Sequence, residues 1–410
     1  MNLLIYYNKL IENFMKIAFL TAGGIAPCLS ACIGRLIYNF SKLNNRTEMI
    51  AYSHGFKGLL LGNTIIINNE TINNCELLYS LGGSPIGNSR VKLSNIDDCI
   101  RKGYIKNGQN PFYISAKQLV KDKIDVLYTI GGDDTNTTAG ELAQYLKEQN
   151  YDLTVIGLPK TIDNDVYPIK QTLGAWTAAE QGANYFINIS NENTTSSRQL
   201  IIHEIMGRNC GWLTAATAKE YRRKLKRMNF PSSFIINKKN WDIDAIYIPE
   251  LKIDFESEVI RLKKCMDNKD TVNIFLSEGA GIQKIVSELK SSGENIKKDA
   301  FGHLRLDEIN SGNWFANYFS KRINADKVLV QKSGYFSRSS KSNQRDLDLI
   351  FKTVDKSIDY ALNGKSGVVG IDEFDDDKLH CISFDRIKGG KYFNHKIDWF
   401  KSMLKEIGQK

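Results

Sequence analysis

The sequence has 410 residues, 42% hydrophobic and 25% charged, enough chain for two domains with their own cores and too balanced a composition for disorder. Lysine and arginine exceed aspartate and glutamate by 55 to 46, a formal net charge of +9, yet the positive charge is scattered among carboxylates, so small anionic ligands are expected rather than nucleic acid. No apolar stretch reaches the roughly 20 residues of a membrane helix, and the leading MNLLIYYNKLIENF carries Glu12 and no small-residue cleavage site, so neither membrane insertion nor export is expected.

In chain order, residues 1–14 read as an extension, with Met15 an alternative start. Lys16–Leu20 is a short apolar strand, followed by a glycine turn and a segment, Ala26–Phe40, whose apolar residues recur at helical spacing. The pattern returns as a strand at Ile124–Ile130, a Gly-Gly-Asp-Asp turn, a helix over Asn136–Lys147 and a strand at Leu153–Leu158 that ends at Pro159. It returns again as a strand at Leu200–Ile205 with a helix from Trp212, and a strand at Val272–Leu276 with a helix after Gly281. Such alternation predicts an α/β fold of two doubly wound, mostly parallel-sheet domains. Ligands of open parallel sheets bind beyond the C-terminal strand ends, so the loops there are the candidate site. Cysteines 28, 32, 75, 99, 210, 265 and 381 form no Cys-x-x-Cys pair and have no histidine at zinc-ligand spacing, which reads as reduced thiols in a cytoplasmic protein.

Three loops carry chemistry. At Thr21–Pro27, Gly23 and Gly24 permit close backbone approach and their amides can cradle a phosphate, although a structural turn between strand and helix explains the same residues. In Gly131–Thr137, adjacent Asp133 and Asp134 at a strand end call for a cation, and magnesium takes one or two carboxylates together with substrate phosphates. Capping of the next helix by Asp134 or Thr135 is the structural alternative. In Pro159–Asp165, Asp163 and Asp165 share one side if the chain is extended, with Lys160 and Thr161 just before them. A carboxylate there can take a hydroxyl proton while the lysine offsets charge on a transferring phosphoryl group. The structural alternative is a polar turn.

The set TAGGIAP, GNSR (Gly87–Arg90), GGDDTNT, PKTIDND, MGR, EGAG and GYFSR, in this order, resembles the phosphofructokinase family over about residues 15–390. The resemblance implies phosphofructokinase-type domains: a phosphoryl-donor (diphosphate and magnesium) domain at 15–174 plus about 339–395, a sugar-phosphate domain at 175–338, and a C-terminal tail at 396–410. It implies Asp163 as the base for the 1-hydroxyl of fructose 6-phosphate, Asp133 on Mg2+ with Asp165 as a second candidate, and Gly23, Gly24 and Arg90 on the phosphoryl donor. Thr161, Asp163, Met206, Gly207, Arg208, Glu278, Tyr335 and Arg338 are implied for the sugar phosphate. ATP-using members carry glycine where this chain has Asp134 and Lys160. Filling both positions with acidic bulk and an ammonium disfavours a nucleotide and suits diphosphate. The chain therefore resembles the diphosphate-using branch, which converts fructose 6-phosphate and diphosphate reversibly to fructose 1,6-bisphosphate and phosphate as a homodimer or homotetramer. The rival readings are an ATP-dependent 6-phosphofructokinase and a non-catalytic sugar-phosphate-binding regulatory subunit.

The pattern is departed from at Gln199 and Leu329, where the family places arginines that reach a sugar phosphate; Arg198, Lys327 and Lys332 are the nearby cations. A one-residue shift turns a strand side chain to the opposite face, so Arg198 serves only through a bulge. His203, inside an apolar strand, reads as a core histidine.

Overall fold

Val126–Gly131 is a run of six residues, every one buried, as expected for a strand covered on both faces. In the computed structural model, which describes residues 15–43, 47–231, 233–291, 309–375, 377–387 and 389–409, this run is the fourth of eleven strands among the described residues. They are β1 (Met15–Thr21), β2 (Thr47–Tyr52), β3 (Thr64–Ile66), β4 (Val126–Gly131), β5 (Thr154–Pro159), β6 (Gln199–Ile205), β7 (Ala245–Tyr247), β8 (Thr271–Ser277), β9 (Lys327–Lys332), β10 (Gly367–Ile371) and β11 (Leu379–Ile382). The helices used below are α1 (Leu29–Leu43), α2 (Asp133–Glu148), α3 (Ala175–Ile189), α4 (Trp212–Arg227), α5 (Ile282–Ser291), α6 (Gly334–Ser339), α7 (Gln344–Leu362) and α8 (Asp398–Glu406). The expected extension at 1–14 lies outside the described residues.

The chain divides into two compact units. The first holds the described residues up to Thr177 together with Arg338–Lys391; the second holds Ala178–Ser337 and the described residues from Tyr392 onward. The first sheet runs β11-β10-β5-β4-β1-β2-β3. Its five central strands pair in parallel, and antiparallel pairs occur only at its two edges. The order reverses between β1 and β4, the kind of switch point where loops part to admit a ligand. Register places Thr21 beside Ile130 and Gly131 beside Pro159, so the three motif loops leave one edge together. Leu20, Tyr52, Leu127, Leu142 and Val155 belong to the core beneath them.

The second unit is built on the parallel order β7-β8-β6-β9. Ile205 pairs with Ser277, and Glu204 with Lys332, so the loops opening at Met206, Glu278 and Ser333 also share an edge. Leu200, Ile202, Tyr247, Leu262 and Phe315 pack on this sheet.

One expectation is corrected at the C-terminus. The span 396–410, expected as a tail, carries α8, whose Phe400, Met403 and Leu404 are buried. The Gln409 amide further exchanges two hydrogen bonds with the Ile246 backbone, at 2.8 and 3.0 Å. An apolar stripe at i, i+3 and i+4 spacing must be covered, and it is covered within the second unit. No helix among the described residues is long and apolar enough to cross a membrane.

Candidate active site

In the first unit the loop after β1 is made by two glycines under a roof of cations. Gly23 has φ +87°, and a methyl placed on it would lie 3.2 Å from Lys160 Nζ, so a side chain here meets both backbone strain and the ammonium. A methyl on Gly24 would lie 3.6 Å from both Arg90 Nη2 and Arg338 Nη1. Lys160, 3% exposed, donates to the Gly24 carbonyl at 2.6 Å. Burial lowers its pKa to about 8; the guanidiniums of Arg338 and Arg90 push the same way, against Cys28 and Asp165. Arg338, expected with the sugar-phosphate residues, thus brings its guanidinium to the glycine loop beside Arg90.

The helix that follows β4 begins differently from the capping alternative. Its N-cap is Gly132, without a side-chain cap bond, and Asp133 and Asp134 both stand in the first turn of α2, where carboxylates suit the dipole. Their surroundings separate them. Asp133 Oδ1 is buried with no hydrogen-bond partner, and burial, then the charges of Asp134 and Asp165, raise its pKa to about 6. The Asp134 side chain is 67% exposed and paired with Lys92 Nζ at 2.6 Å. Lys92, two residues beyond Arg90, also lowers the Asp133 pKa. Sequence reading missed it, because nothing local links a lysine at 92 to a carboxylate at 134.

The loop after β5 is a turn, not the extended segment expected. Asn164 takes a left-handed φ of +54°, so the alternation that would put Asp163 and Asp165 on one side does not apply. The Asp163 amide donates to Thr161 Oγ1 at 3.2 Å. The Asn164 side chain accepts from the Thr172 amide at 2.8 Å and donates to the Lys170 carbonyl at 3.2 Å, closing the loop on itself. The Lys391 amide donates to the Asp165 carbonyl at 2.8 Å, and its ammonium to that of Ile169 at 2.5 Å. Burial raises the Asp165 pKa against a hydrogen bond from Thr161. The turn brings Lys160, Thr161, Asp163 and Asp165 into one closed loop at the strand edge that also carries Asp133.

A magnesium ion can be tested against these groups. No cluster of three or more histidine, cysteine or acidic side chains that could cage a metal occurs among the described residues. What the first unit offers is one buried, unpartnered carboxylate oxygen on Asp133 with Asp165 raising its proton affinity, a donor set that fits a cation whose remaining ligands are substrate phosphates and water.

In the second unit the MGR, EGAG and GYFSR loops lock into one another. The Gly207 amide donates to Glu278 Oε1 at 3.4 Å, the Glu278 amide to the Ile205 carbonyl at 2.9 Å, and Ser277 Oγ to the Gly207 carbonyl at 2.5 Å. A methyl on Gly279 would sit 1.8 Å from the Arg208 carbonyl oxygen, so only glycine lets these two loops cross. A methyl on Gly334 would reach the Met206 thioether methyl at 2.5 Å, which seats α6 against the MGR loop. Tyr335, on α6, is 81% exposed.

The cations near the departures divide by strand end. Arg198 does take a left-handed φ, +46°, but its guanidinium is spent on the Ile323 and Asn324 carbonyls and on Asp267, at 2.9, 2.5 and 2.9 Å. Lys327, at the start of β9, pairs with Glu192 at 3.1 Å. Lys332, at the end of β9 where the candidate loops emerge, pairs with Glu204 at 2.9 Å.

The phosphofructokinase family model matches residues 16–346. Two relatives named pyrophosphate–fructose 6-phosphate 1-phosphotransferase are similar over nearly all of the chain. That of Methylomonas methanica is 53% identical, covering 96% of each sequence. That of Propionibacterium freudenreichii is 50% identical, covering 96% of this chain and 98% of the relative. In three dimensions the chain is similar to the crystal structure of a pyrophosphate-dependent phosphofructokinase from Marinobacter aquaeolei, with a TM-score of 0.72 and 17% identity over 97% of this chain and 92% of the other.

Proposed function

The chain belongs to the phosphofructokinase family, and from that premise we propose that it catalyses reversible phosphoryl transfer from diphosphate to the 1-hydroxyl of fructose 6-phosphate, giving fructose 1,6-bisphosphate and phosphate. One observation carries the choice of donor. The ammonium of Lys160 bonds to the Gly24 carbonyl while the Arg90 and Arg338 guanidiniums flank the same glycine, a dense cationic cradle for a small anion that needs no ring or ribose contact.

The residue roles follow from charge and position. Gly23, Gly24 and Arg90 hold diphosphate, with Arg338 added to that set. Lys160 offsets the charge that spreads over the transferring group. Asp163 takes the proton of the attacking hydroxyl. Asp134, held by Lys92, narrows donor choice rather than moving a proton. Met206, Gly207, Arg208, Glu278, Tyr335 and Thr161 hold the sugar phosphate. Asp133, with Asp165 beside it, would hold Mg2+, which when bound neutralises and polarises diphosphate oxygens. The seven free cysteines support a reducing, cytoplasmic setting, and family resemblance supports a homodimer or homotetramer.

The purified chain, given magnesium, fructose 6-phosphate and diphosphate, is expected to form fructose 1,6-bisphosphate and orthophosphate in equal amounts. Binding of the sugar phosphate with no turnover would replace this reading with that of a regulatory subunit.

A further inference from the structure

We propose that His203 is a positioning residue for the sugar-phosphate residues: its ring fixes the Ser333 hydroxyl, and through it the start of α6, which presents Tyr335. This rests on the sugar-phosphate reading above. His203 lies on β6, three residues before Met206, and is completely buried. Phe186 stacks on its ring at 5.3 Å and 8°, Phe275 meets it edge-on at 4.9 Å, and Tyr185 lies at 5.6 Å. Among the described residues its one polar contact is Nε2 to Ser333 Oγ at 2.8 Å, and Nδ1 is buried with no partner.

The chemistry of that box fixes the charge of the ring. Burial lowers the His203 pKa to about 3, so the ring is neutral and carries one N–H. The neutral ring and the Ser333 hydroxyl share one hydrogen bond, donated by Nε2–H to Oγ in one tautomer and by the hydroxyl to Nε2 in the other; in either direction it ties the hydroxyl to the ring. An apolar ring would fill the same space without an orphaned nitrogen. What histidine adds is therefore direction rather than stability.

Ser333 passes that direction on. It is buried, and its carbonyl accepts from the Ser337 amide at 2.8 Å, the first turn of α6. A six-residue helix has little stability of its own, so its anchors set its direction. Two others bear on it: Gly334 rests on Met206, and Phe336 lies 5.7 Å from the Tyr185 ring, whose hydroxyl donates to Gln331 at 3.0 Å. Strand β6 thus places Met206 directly and Tyr335 through His203 and Ser333.

The test varies each substrate separately in His203→Phe, Ser333→Ala, the double variant and His203→Gln, whose amide can donate or accept in place of Nε2. Each single loss is expected to raise the fructose 6-phosphate KM about ten-fold, as for one neutral hydrogen bond. The diphosphate KM and kcat stay within about two-fold, the double variant is no worse than either single one, and His203→Gln recovers most of the loss. Additive effects, or Ser333→Ala leaving the fructose 6-phosphate KM unchanged, would overturn the proposal. Should His203→Phe not fold, Ser333→Ala still decides, together with ¹⁵N spectra of the histidines. These should show a neutral ring from pH 5 to 9 whose Nε2 signal shifts on loss of Ser333; titration in that range, or no shift on loss of Ser333, would refute it. Wild-type turnover is measured first, so failure of the proposed function is seen separately, while the spectra report on the anchor alone.

Discussion

The ammonium of Lys160 and the carbonyl of Gly24, 136 residues apart in sequence, are joined by a 2.6 Å hydrogen bond. The bond ties the loop after β5 to the loop after β1 and holds a buried cation at the backbone where a phosphate would rest. Lys160→Met keeps most of the volume and removes the charge. Turnover is expected to fall by about 10² to 10³, the range for losing one preorganised electrostatic donor, with the fructose 6-phosphate KM little changed. Steady-state kinetics with each substrate varied checks this.

The same lysine gives a pH dependence whose two signs differ. Its folded pKa is about 8 against an ordinary 10.5, so activity that needs the ammonium declines as pH rises through about 8. For stability, below about 8 both folded and unfolded chains carry the proton, and burying that charge costs free energy. Between about 8 and 10.5 the unfolded chain binds more protons, so this contribution to stability improves as pH rises. Rate profiles and denaturant unfolding of wild type and Lys160→Met over pH 6.5 to 10 should show both trends in the wild type and neither in the variant.

Asp163→Ala is expected to lower turnover by about 10² to 10⁴, the range for a positioned base, while fructose 6-phosphate still binds measurably by calorimetry. Unchanged turnover would remove Asp163 from that role.

Gly279→Ala probes how the second unit's loops cross. The new methyl would meet the Arg208 carbonyl at 1.8 Å, so the MGR loop must shift. The fructose 6-phosphate KM is expected to rise by up to about 10², with the diphosphate KM unchanged.

Asn164→Ala tests the clamp of the loop that bears Asp163. It strands the buried Thr172 amide and puts alanine at a left-handed φ, for a loss of about 1 to 3 kcal/mol. Asn164→Gly, which tolerates that φ, is expected to recover part of it in denaturant unfolding.

Much of this was legible in the sequence where the cause is local. Apolar runs ended by glycine turns mark β1, β4, β6 and β8, and one ended by proline marks β5, because period and punctuation are read from neighbours. The unread strands are β2, β3, β7, β9, β10 and β11; β3 and β7 have three residues and β11 four, and β9 is only partly buried. The Pro159–Asp165 loop was misjudged because an i, i+2 rule assumes extended backbone and Asn164 leaves it. Lys92, Lys391 and Ser333 were invisible because each matters through a partner more than 40 residues away or on another strand. The C-terminal helix was readable from Phe400, Met403 and Leu404, a stripe that needed only to be weighed.

The central claim is donor choice: a cationic cradle at Gly23 and Gly24, with Asp134 clamped by Lys92, serves diphosphate and excludes a nucleotide. The direct measurement is kcat/KM with magnesium diphosphate and with magnesium ATP on the same preparation, for wild type and for Asp134→Gly combined with Lys160→Gly. The account predicts that wild type strongly favours diphosphate and that the double variant loses most of that activity. Wild type turning over faster with ATP, or the double variant using diphosphate unimpaired, would contradict it.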